Sequence, residues 1–136
     1  MVNAVHDLEP EDGDSNYEAA FRLVARRKRA LVVLFTDLLD ESAAIPLLEA
    51  IDVLARRHVV VVAVSTDEDL VAATTAPPES IHDVLRASVA AGALSEKGAV
   101  VARIRHRGVR TVEARGAGLP AVCVAAYLDT KANARV

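Results

Sequence analysis

The chain has 136 residues, 52% of them apolar and only 3% aromatic, with a formal net charge of −3 and no Trp. A single domain of this length buries roughly two thirds of its unfolded surface, and here its core must be built from Val, Leu, Ile and Ala. The negative charge argues against nucleic acid as the main partner, because that binding rests on neutralising phosphates. The lone Cys123 leaves no intrachain disulfide and no cysteine-based zinc cage, which suits a reducing, cytoplasmic compartment.

Residues 1–16 hold five acids among Gly, Pro, Ser and Asn and read as an acidic N-terminal tether. From Tyr17 to Arg29, Ala20, Phe21, Val24 and Ala25 recur at helical spacing, with Ser15 or Asn16 as N-cap and basic residues near the C-terminal end. Residues 30–36 and 58–65 are apolar on both alternating faces, which predicts parallel strands covered by helices on each side. Between them, Ala43 to Arg57 carries Ile45, Leu48, Ile51, Val53 and Leu54 as a stripe for a sheet-facing helix. These pieces make a βαβ unit. The stretch "TTAPPES" reads as a break ending in a Ser80 N-cap. A long helix from Ile81 to His106 follows, with Val84, Leu85, Val100, Val101 and Ile104 as core positions. Gly92 and Gly98 weaken that helix by about 1 kcal/mol each and predict a kink or a close approach. Gly108 stops it, "VRTVEA" makes a third strand, and Pro120 opens a last helix whose Leu119, Val122, Cys123 and Ala126 share a face.

The longest apolar runs, such as Val59 to Val64, fall far short of the ~20 residues a membrane-spanning helix needs. No basic start followed by an apolar stretch marks a secretory signal. Open α/β sheets bind ligands beyond the carboxyl ends of their strands, and acids stand at both: Asp37, Asp40 and Glu41 after the first strand, Asp67, Glu68 and Asp69 after the second. They read first as helix caps; the alternative is a hard cation such as Mg2+ held by oxygen ligands. There is no phosphate-cradling glycine loop and no "GxSxG" elbow. His6, His58, His82 and His106 are too scattered to share one helix face as metal ligands, and Cys123 reads as an inert buried thiol.

Several stretches together, "SNYEAAFRLVARRKRALVVLFTDLLD", "LARRHVVVVAVSTDEDL", "RHRGVRTVEARGAGLP" and "AAYLDTKANARV", resemble the C-terminal half of the bacterial family called domain of unknown function 58. The resemblance runs from about residue 15 to the end. It implies an α/β, Rossmann-like fold: a partial von Willebrand factor A-like domain over residues 17–136, with a short parallel sheet of about three strands flanked by helices. It also implies the remains of a metal-ion-dependent adhesion site, in which Asp37 of "FTDL" matches the Asp piece and Ser15 stands in the Thr position. The Asp-x-Ser-x-Ser piece occurs nowhere in the sequence, so Mg2+ affinity is expected to be weak and no cofactor is assigned.

The family likeness implies a non-catalytic interaction or scaffold module acting with a MoxR-type AAA+ ATPase in protein maturation or assembly, in longer relatives often tethered to a membrane. Because the strand that would pair with residues 31–36 is not in the sequence, its edge is expected to be bare, and a homodimer through that edge or by an exchanged N-terminal segment is expected. The rival reading is a metal-dependent hydrolase or phosphotransferase using Asp37 and Asp40. Against it, "DLLD" spaces its acids three apart, where phosphotransferases of the haloacid dehalogenase type need Asp-x-Asp. A third reading is a silent structural fragment.

Overall fold

A computed structural model describes residues 17–37 and 41–133. The elements run α1 (Tyr17–Ala25), β1 (Leu31–Thr36), α2 (Glu41–Ala55), β2 (Val59–Thr66), α3 (Glu68–Thr75), α4 (Ile81–His106), β3 (Arg110–Arg115), a short 3-10 turn (Gly116–Gly118) and α5 (Leu119–Ala132). The strands form one parallel sheet in the order β1-β2-β3. Its register pairs Leu31 with Val59 and Thr36 with Val64, then Val61 with Arg110 and Thr66 with Arg115. The chain is thus α/β, a three-stranded parallel sheet flanked by helices and consistent with a Rossmann-like arrangement.

Alternation along β2 divides its side chains between two layers. Val60, Val62 and Val64 join one apolar cluster with Ala44, Leu47, Leu48, Ile51 and Leu54 of α2, Val100, Val101 and Ile104 of α4, and Phe21 of α1. Val61 and Ala63 face the other way, where α5 packs over β2 and β3, and they are fully buried as well. β2 is therefore enclosed on both faces, as its run of β-branched residues predicts.

β1 is not. Val32 and Leu34 reach the main cluster, but Leu31, Val33 and Phe35 point to the α5 layer, and α5 does not extend over them; Phe35 is 63% exposed. The expectation that both strands are enclosed holds for β2 and fails for β1, because one helix on the α5 side spans only two strands.

Other expectations also shift. The break at "TTAPPES" holds over residues 76–80, but a separate helix, α3, stands between β2 and that break and has no place in the expected order of elements. Its start is fixed by Asp67, whose Oδ1 accepts from the N–H groups of Asp69 at 2.9 Å and Leu70 at 3.1 Å. That hydrogen bonding is the capping role expected of the strand-end acids. α4 runs unbroken through Gly92 and Gly98, and a Cβ at either would meet nothing within 4 Å, so neither marks a close approach. α1 ends at Ala25 rather than Arg29. On α2, Ile45 and Val53 are exposed, while Leu47 takes a core place. On α4, Val84 and Leu85 are exposed although they read as core, whereas Val100, Val101 and Ile104 are buried as expected. Cys123 is only half-buried.

Ser80 caps α4 as predicted, its Oγ accepting from the Asp83 N–H at 3.2 Å. Gly108 closes that helix in the left-handed region (φ 74°), with its N–H bonded to the Arg105 carbonyl at 2.9 Å. A residue with a Cβ pays for that conformation and glycine does not. No helix among the described residues is long and apolar enough to cross a membrane.

Candidate functional site

The parallel sheet brings the ends of β1, β2 and β3 to one side, and the acids singled out by sequence sit there. Asp37 follows β1 directly and is exposed. Asp67 follows β2 and uses its carboxylate to cap α3. Glu68 approaches Arg115 at the end of β3, at 3.7 Å, with both side chains largely solvated. Ser15 and Asp40 lie outside the described residues, and Glu41 opens α2. Among the described residues, no three His, Cys, Asp or Glu side chains gather closely enough to hold a metal ion. The described part of this rim therefore does not by itself fit a divalent cation, which needs several oxygen ligands converging on one point.

The same rim contains a residue that sequence reasoning missed. Lys97 falls on the sheet-facing stripe of α4, in step with Ala90, Val101 and Ile104, and is only 7% exposed. Its Nζ donates to the Ser65 carbonyl near the end of β2, and no carboxylate pairs with it among the described residues. A cavity of about 270 Å³ opens beside it, lined also by Thr66, Leu94, Arg105 and Glu113. Arg105 and Glu113 neutralise each other at 2.6 Å, and Arg105 Nε donates to Thr111 Oγ1. The signal for Lys97 is its helical phase: a lysine at a core position of an apolar stripe. Lysine's preference for surfaces hides it.

At the opposite, amino end of the sheet, His58 just precedes β2 and is 5% exposed. Neither ring nitrogen has a hydrogen-bond partner among the described residues. A cavity of about 290 Å³ is lined by His58 together with Arg29, Arg110, Asp129, Thr130 and Asn133. Arg110 and Asp129, both in that lining, form an ion pair with each other. His82 and His106 are exposed, as their scattered positions suggest.

The third feature is an edge rather than a cavity. β1 has β2 on one side and no strand on the other among the described residues. The Val59 N–H donates to the Ala30 carbonyl at 2.9 Å. With the observed register, this turns the backbone groups of Ala30, Val32 and Leu34 toward β2 and those of Leu31, Val33 and Phe35 outward. The side chains of those same outward-turned residues lie on the face that α5 does not reach, where Phe35 is exposed and Leu31 and Val33 are half-buried. The edge therefore offers both hydrogen-bonding groups and apolar surface, the combination that accepts an added strand. It is framed by charge: the exposed run Arg26, Arg27, Lys28 and Arg29 precedes it and Asp37 follows.

Comparisons with family models, with curated proteins and with solved structures returned no match for this chain.

Proposed function

We propose that this chain is a non-catalytic protein-interaction module, the later part of a von Willebrand factor A-like fold, acting with a MoxR-type AAA+ ATPase in the maturation or assembly of other proteins. The observation that carries an interaction role is the outer edge of β1, where outward-turned backbone groups coincide with the exposed Phe35. Enzymes place reacting groups together, whereas among the described residues Asp67 is committed to capping α3 and Glu68 to an exposed pair with Arg115. The ATPase partner rests on the family resemblance of "LVVLFTDL", "LARRH" and "YLDTK". In this reading Asp37, with Ser15, is the remnant of an adhesion-type metal site and binds Mg2+ weakly.

The test is retention of a purified MoxR-type ATPase on the immobilised chain, with Phe35→Lys as the edge variant. Retention that Phe35→Lys reduces at least tenfold is the expected result. Equal retention on both, or none on either, overturns the reading. Titration calorimetry with Mg2+ is expected to give no saturable heat below millimolar concentration, and Mg2+-dependent phosphatase activity that is lost in Asp37→Asn would reinstate the metal-dependent hydrolase.

A further inference from the structure

Resting on the interaction reading, we propose that the β1 edge pairs two copies of this chain, β1 antiparallel to β1 across a two-fold axis through Val33, and that this dimer is the form the ATPase retains. The backbone limits the choices. Only Leu31, Val33 and Phe35 turn their N–H and C=O groups outward, so each must face one of the same three in the other copy. Among the registers that satisfy this, the one centred on Val33 pairs the whole strand: Val33 with the partner's Val33, Leu31 with the partner's Phe35, and Phe35 with the partner's Leu31.

Charge selects the same arrangement. With Val33 on the axis, Arg29 stands opposite the partner's Asp37, and neither has an ion-pair partner within the described chain. The exposed basic run 26–29 then lies at the same end of the seam as the partner's exposed Asp37. A parallel pairing would instead set arginine against arginine, and like charges directly opposite are unfavourable. Leu31, Val33 and Phe35 project into the layer that α5 leaves open, and the exposed Arg29 and Asp37 flank the strand at its two ends. Leu31 and Phe35, half-buried and exposed in the single chain, cover each other across the seam. A contact of one strand pair and its flank is smaller than the roughly 1,200–2,000 Å² of a standard stable interface, so the dimer is expected to dissociate in the micromolar range.

Sedimentation equilibrium of the full chain from about 1 to about 300 μM reads the association. Wild type is expected to dimerise. Arg29→Asp and Asp37→Arg each weaken it at least tenfold, and the double variant restores it to within about threefold, because the pair is recreated with its signs exchanged. Register is read in a Cys123→Ala background. Val33→Cys is expected to cross-link to itself on mild oxidation, since facing hydrogen-bonded residues stand about 5.5 Å apart at Cα and disulfides span about 4.4–6.8 Å. Leu31→Cys cross-links only when mixed with Phe35→Cys. Circular dichroism confirms that each variant is folded.

A chain that stays monomeric throughout, a double variant no better than the singles, or Leu31→Cys linking to itself as readily as Val33→Cys overturns the proposal. A monomer still retained by the ATPase would sink the dimer and leave the interaction module standing. A dimer that ignores the ATPase would do the reverse.

Discussion

Lys97 shows how one residue can escape a pattern and still be fixed by it. Its stem lies where a methionine would lie, between Ala90 and Val101 on the sheet side of α4, and only its ammonium departs from the apolar stripe. The Ser65 carbonyl receives that ammonium, so the side chain serves packing along its length and a hydrogen bond at its tip. We expect Lys97→Ala to be less stable than Lys97→Met by about 1–3 kcal/mol, because Met keeps the stem's contacts and Ala leaves a void. Urea denaturation of the two variants checks this, and equal midpoints would place the stem outside the packed layer. Ser80 and Asp83 form a second local device. The Ser80 hydroxyl donates to Asp83 Oδ2 at 2.7 Å, and this bond, foremost, holds the Asp83 carboxyl below its ordinary 3.8. A carboxylate whose pKa is lowered on folding stabilises the native state above its ordinary pKa, and that contribution fades as pH falls through the lowered value. Ser80→Ala is expected to move the Asp83 titration back up toward 3.8, read by carbon-detected NMR across acid pH.

Helices and strands differ in how far their extent can be read from composition. α4 has 26 residues and rises about 39 Å, whereas the 8 residues of β2 rise only about 26 Å, so the helix overshoots the sheet it packs on. Its buried positions run only from Ala90 to Ile104, and the half before them carries Ile81, Leu85 and Val89 into solvent, the last 73% exposed. An apolar residue at helical spacing reads the same whether or not a sheet lies beneath it, which is why Val84 and Leu85 pass for core. α3 packs against this projecting half and buries no residue of its own. Helices held by so little apolar contact open before the rest. Hydrogen exchange is therefore expected to be faster in the α3 amides than in the stretch from Val100 to Ile104 by at least a hundredfold. Equal protection would mean that α3 is anchored by something other than its contact with α4.

The molecule as a whole was legible where composition and environment agree. "VVVVAVST" is apolar on both alternating faces and is covered on both, and the Ser80 cap and the Gly108 stop fall where local chemistry demands them. β1 shows the limit. "LVVLFT" has the same alternation as β2, yet the number of strands beside it and the reach of α5 above it are decided elsewhere in the chain. The rim acids were legible as residues but not as a constellation, since Asp67 is committed to α3, Glu68 to Arg115, and Asp37 to neither. His58 is hidden for a related reason. Its burial comes from the meeting of the start of β2 with the end of α5, a contact between residues far apart in sequence.

The order of strands across the sheet is also their order along the chain. During synthesis, each strand can therefore dock onto the flank laid down just before it, and none has to wedge itself between two already joined. The nascent fold can grow from the N-terminal side outward as residues emerge, with β2 sealed only when β3 and α5 arrive.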